Sequence, residues 1–80
     1  MVDRLQGNKV VGIKQTTKAI KNGKGHVLYV AKDADDKVIN PLIELANNNM
    51  VNIVFIETMS QLGKLSGIDV GTAATLILKE

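Results

Sequence analysis

Two short apolar runs constrain this chain more than anything else in it. "HVLYVA" (26–31) and "VNIVFIE" (51–57) are nearly unbroken stretches of β-branched, aromatic and aliphatic residues. Each has the length of a strand, and a run with no polar alternation predicts an inner strand of a sheet covered on both faces. "AATLILK" (73–79) reads as a closing strand, and residues 9–11 as a short extended piece. Helical patterns fill the gaps between them. Strands alternating with helices at this spacing predict an α/β fold, a three-layer α/β/α sandwich around a mixed sheet of about four strands.

The helices carry their own punctuation. Residues 13 to about 22 form a helix fenced by glycines, with Ile13, Thr17 and Ile20 as its buried face and Gly23 as a left-handed stop. The second helix begins either near Asp35 with Pro41 inside it, or at Asn40 with Pro41 in the first helical position. Val38, Ile39, Leu42, Ile43, Leu45 and Ala46 give it a broad apolar stripe. In "TMSQLGKLSG" (58–67), Thr58 and Gln61 have capping-box spacing and Gly67 is the stop. Gly63 lies mid-helix, where it costs about 1 kcal/mol relative to Ala. Close packing by another backbone explains it better than a ligand does. "DRLQ" (3–6) has the makings of one helical turn.

Eighty residues make a single domain, 1–80, able to bury roughly 60–65% of the surface its unfolded chain exposes. With no cysteine there is no disulfide framework, and "MVDRLQGNK" is too polar for a signal peptide. No apolar run approaches the roughly 20 residues of a membrane span. A cytoplasmic protein is expected, without membrane association.

Charge is distributed unevenly. Between Arg4 and Lys32 there is no acid, so seven cations against Asp3 give residues 1–32 a charge of +6. Residues 33–80 hold three cations against seven acids, −4, and the halves combine to the net +2. Lys14, Lys18 and Lys21, spaced i, i+4, i+7, form one stripe on the first helix. Lys14 sits in the first turn, where the helix macrodipole disfavours a cation by a few tenths of a kcal/mol. A polyanion-binding surface would account for that placement; a solvated lysine face is the alternative.

Catalytic signatures are weak. His26, the single histidine, opens a strand with no cysteine or acid cluster beside it in sequence. "DADD" with Glu44 imitates a calcium loop from Asp33, but Lys37 and Val38 occupy positions needing an oxygen ligand and a glycine. "GKLSG" and "NGKG" lack phosphate-loop spacing. No enzyme activity, metal or cofactor is expected. The aromatics, Tyr29 and Phe55, fall within strands read as buried, which argues against base stacking. A structured RNA or DNA gripped through phosphates and base edges is the partner this composition suits. Gly12 lets a ligand approach the backbone, and Lys14, Gln15 and Lys18 are natural readers, since Lys donates to guanine and Gln both donates and accepts.

"VGIKQTTKAIKNGKGHVLYVAKDAD", followed by "TMSQLGKLSG" before a closing strand, closely resembles the kink-turn-binding ribosomal proteins, the superfamily of "L seven Ae" and "L thirty e". The likeness runs from about residue 5 to 79, and the lysine-rich, acid-free amino-terminal stretch looks like a bacterial member. It implies a non-catalytic RNA-binding sandwich, a monomer, clamping the bent internal loop of a kink-turn with tandem sheared G·A pairs, in ribosomal or regulatory RNA. On that likeness Gly12, Lys14, Gln15 and Lys18 lie in the RNA groove; Lys21, at the end of the lysine stripe, is expected on phosphate. Glu57, Thr58 and Met59 cover a flipped-out base, with Asp35 and Ile39 nearby. Lys14-Gln15 stands where the tightest-binding branch has Asn-Glu, and Glu57 puts an acid in a loop facing phosphate. A protein–protein adaptor on the same fold, without RNA readout, is the alternative.

Overall fold

The computed structural model describes residues 7–79. Seven elements follow in order: β1 (Lys9–Val11), α1 (Ile13–Lys21), β2 (Gly25–Ala31), α2 (Asp36–Asn48), β3 (Asn52–Ile56), α3 (Met59–Leu65) and β4 (Ala74–Leu78). The turn expected at residues 3–6 lies outside the described residues.

The strands form one sheet in the order β1-β4-β2-β3. β2 and β3 are parallel, while β4 runs antiparallel to both β1 and β2. Thus β1, β2 and β3 share a direction and β4 opposes it, the mixed sheet that the alternation of elements predicts. α1 packs against α2, whereas α3 contacts β2, β3 and β4. Ile20, Leu28, Val30, Leu42, Leu62 and Leu76, all buried, form the heart of the core.

Helix boundaries follow the local chemistry. α2 starts at Asp36 because the Asp35 carboxylate accepts from the Lys37 N–H at 2.9 Å, and Pro41 sits inside the helix on its exposed side. Its missing N–H therefore leaves a carbonyl that water can reach. The Thr58 hydroxyl accepts from the Gln61 N–H at 3.0 Å and caps α3. A Cβ on Gly63 would overlap the carbonyl oxygen of Val70, so it is backbone packing that demands glycine there.

Two expectations are corrected. The run 51–57 is not an inner strand: β3 is an edge, and Val54 and Phe55 are substantially exposed. The inner strands are β2 and β4. Phe55 is therefore an accessible aromatic, contrary to the reading of both aromatics as buried. The buried face of α1 is also wider than expected: Ile20 is fully buried as read, but Thr16 and Ala19 are buried beside it. Ile13 and Thr17 are half-buried, Ile13 packing on the core, and both line a groove against Val38, Pro41 and Leu45 of α2. A helix wedged between a sheet and a second helix buries two flanks, and spacing alone cannot rank them.

Candidate nucleic-acid interface

The mixed topology brings the functional candidates to one rim. β1, β2 and β3 end where β4 begins, so four loops meet there. Backbone bonds stitch them: Gly12 N–H to Ala74 O at 2.9 Å, Ala31 N–H to Ala73 O at 2.9 Å, and Lys32 N–H to Ile56 O at 2.8 Å. The Met59 N–H donates to Asp33 Oδ1 at 2.8 Å, and the Thr72 N–H to Met59 O at 3.1 Å.

α1 opens this rim with an uncapped terminus. Gly12 precedes it with φ 100° and ψ 156°, no side chain caps it, and its first turn holds no acid. The N–H groups of the first turn other than Thr16, which donates to Gly12 O, lack the usual acceptor, so this end carries partial positive charge. Nothing lies within 4 Å of where a Gly12 Cβ would stand, so an anion can approach the backbone. Lys14, Gln15, Lys18 and Lys21 are exposed and line one open concavity of about 410 Å³ along α1. Among the described residues, Lys14, Lys18 and Lys21 form no salt bridge. Their charge is available to a ligand.

At the other side of the rim the candidates differ in kind. Asp35 is exposed but committed to capping α2, and Ile39 is 4% exposed, its side chain in the core. Val38 is the exposed apolar residue of that turn. Thr58 caps α3, and Met59 is partly exposed. Glu57 is not a bare acid: Lys32 Nζ lies 3.0 Å from its Oε1. With β1 and β3 three strand spacings apart, Glu57 stands about 14 Å from the start of α1 along the rim. This is a row, suited to an extended ligand, rather than a pocket.

Between them lies a loop that sequence reasoning missed. Residues 67–73 lead into Ala74, the residue bonded to Gly12, and pack against the start of α3, where the Thr72 N–H meets Met59 O. Val70 in this loop is 70% exposed. The close backbone approach at Gly63 fixes the loop's path, and Ser66 anchors its start through the Thr75 hydroxyl at 2.6 Å. The signal available in the sequence was Gly63, whose cost implied a neighbouring backbone without naming it.

No helix among the described residues is long and apolar enough to cross a membrane. No group of three or more acidic, histidine or cysteine residues among them could hold a metal ion.

Known proteins resemble the chain along most of its length. It is 42% identical over 73 residues to an RNA-binding protein of Caldanaerobacter subterraneus subsp. tengcongensis, covering 91% of this chain and 89% of that one. It is 36% identical over 78 residues to large ribosomal subunit protein eL8 of Halobacterium salinarum, covering 96% of this chain and 65% of the longer protein. The solved 15.5kD RNA binding protein of Giardia lamblia superposes with a TM-score of 0.83 at 26% identity, over 90% of this chain and 61% of that one. With a family model matching residues 3–80, the chain belongs to the ribosomal protein L7Ae/L30e/S12e/Gadd45 family, a family with RNA-binding members.

Proposed function

We propose that the protein is a non-catalytic, cytoplasmic RNA-binding protein that recognises a kink-turn, in ribosomal or regulatory RNA, and stabilises its bent form. The observation that carries the reading is the open N-terminus of α1, with Gly12 exposing backbone N–H groups and Lys14, Gln15 and Lys18 free beside it. Sheared G·A pairs present guanine edges, which Lys and Gln read, while the helix terminus holds a phosphate. The protein selects the kinked conformer from the RNA's ensemble, so its preference for bent over straight RNA is the driving term.

On this reading, Val70 and its loop join Thr58 and Met59 in covering the apolar face of an unstacked base, and Asp35 and Ile39 shape the loop behind them. A gel-shift titration against a kink-turn, and against the same RNA with its G·A pairs replaced by Watson–Crick pairs, tests the proposal. Tight binding to the first and much weaker binding to the second is the expected result. Equal affinity for both would overturn it, and salt-insensitive binding would favour an adaptor.

A further inference from the structure

We infer that the open edge of β3 is a self-association surface, through which a second copy of this chain pairs in antiparallel fashion about a two-fold axis at Val54. Six large apolar side chains among the described residues are exposed, and three of them lie within six residues at β3: Met50 (92%), Val54 (39%) and Phe55 (49%). That segment runs along the one long strand edge the fold leaves open. The other edge, β1, is three residues long and carries Lys9. β3 is five residues long, "NIVFI", with no charge, proline or glycine. Edges are ordinarily blunted by such residues, by bulges or by shortness, and this one has none of those guards.

The backbone fits the pairing. Ile56 O accepts from the Lys32 N–H of the β2 side, and in a parallel pair successive residues turn their backbone groups to opposite sides. Asn52, Val54 and Ile56 therefore bond β2, while Ile53 and Phe55 present free N–H and C=O groups to the open edge. An antiparallel two-fold at Val54 sets Phe55 opposite Ile53 of the second copy as a hydrogen-bonded pair, twice over. Val54 meets Val54 of the second copy in the closer, non-hydrogen-bonded position.

The side chains choose a second copy over an unrelated strand. The two-fold matches like with like: on one face Phe55 of each copy meets Ile53 of the other, and on the opposite face Val54 meets Val54. Within the paired register no charge opposes a like charge. A closed two-fold also uses up the edge on both copies, leaving an eight-stranded sheet with β1 outermost. The two rims described above then point in opposite directions. This departs from the monomer expected of the sequence.

The test needs no RNA, so it stands or falls apart from the proposed function. Sedimentation velocity of the full chain over a concentration series should show the monomer boundary moving to that of a dimer and no further. Val54→Lys, which places two ammonium groups across the axis, should stay monomeric at every concentration with an unchanged circular dichroism spectrum. Because the chain has no cysteine, Val54→Cys should form a disulfide-linked dimer on mild oxidation, whereas Val70→Cys, more exposed but off the edge, should not. A monomer throughout the series, equal cross-linking of the two cysteine variants, or oligomers that keep growing with concentration would each overturn the pairing.

Discussion

The backbone N–H of Gly12 donates to the carbonyl of Ala74 at 2.9 Å, so the start of α1 is fastened to the first residue of β4. Gly12 holds this link at φ 100°, a conformation nearly confined to glycine, although a Cβ would meet no atom within 4 Å. Gly12→Ala should therefore lower stability by roughly 1–3 kcal/mol through backbone strain alone. Urea denaturation measures it. RNA affinity should fall with it, because the Cβ would stand over the helix terminus.

Lys18 and Lys21 are both exposed on α1, one turn apart, yet they should behave differently. Lys18→Ala should cost roughly 1–3 kcal/mol of kink-turn binding if it reads a base, whereas Lys21→Ala should mainly reduce the salt slope by about one. Titrations at three or more salt concentrations separate the two effects. A loss of the same size for both, at every salt, would count against base reading by Lys18.

Gly63→Ala should push the loop 67–73 away from α3. The methyl would collide with backbone, the Val70 carbonyl, and not with a flexible side chain that could step aside. Overpacking of this kind costs roughly 1–3 kcal/mol of stability. Kink-turn affinity should drop as well, while association with straight RNA through the lysine stripe should change little.

Glu57→Gln should strengthen RNA binding. The Lys32–Glu57 pair is exposed on both sides, so its loss should change stability by less than about 1 kcal/mol. Freed of its partner, Lys32 can neutralise a phosphate, which should steepen the salt slope by about one. An unchanged slope would mean that this end of the rim stays clear of the RNA.

Thr16 offers a stability gain without functional cost. Its side chain is fully buried, and its hydroxyl has no hydrogen-bond partner among the described residues. Replacing the hydroxyl by a methyl removes an unsatisfied polar group of a kind that costs roughly 1–3 kcal/mol. Thr16→Val should raise the midpoint of thermal unfolding.

What the sequence revealed was whatever is encoded within one element. The cap at Thr58, the stops at Gly23 and Gly67, and the demand of Gly63 for a close neighbour all depend on residues a few positions apart, whereas the start of α2 stayed open between Asp35 and Asn40 because Pro41 suits either. Strand order does not. "VNIVFIE" and "HVLYVA" look alike, yet one became an edge and the other an inner strand because β4 returns between β1 and β2. Periodicity found α1 and the burial of Ile20 but missed Thr16 and Ala19, because a helix held by both a sheet and a second helix buries more than one stripe. The neighbour of Gly12 across the rim, the loop holding Val70, lies almost sixty residues away in sequence. No local pattern announces that meeting.

The turn holding Gly23 lies at the opposite pole of the molecule from the loops that hold Val70 and Glu57. β2 separates them with seven residues, roughly 23 Å of extended chain. Gly23 itself faces empty space at its missing side chain. A fluorophore at this bend would stand clear of the rim loops yet two residues from Lys21, so its signal would respond to an RNA that follows the lysine stripe to its end.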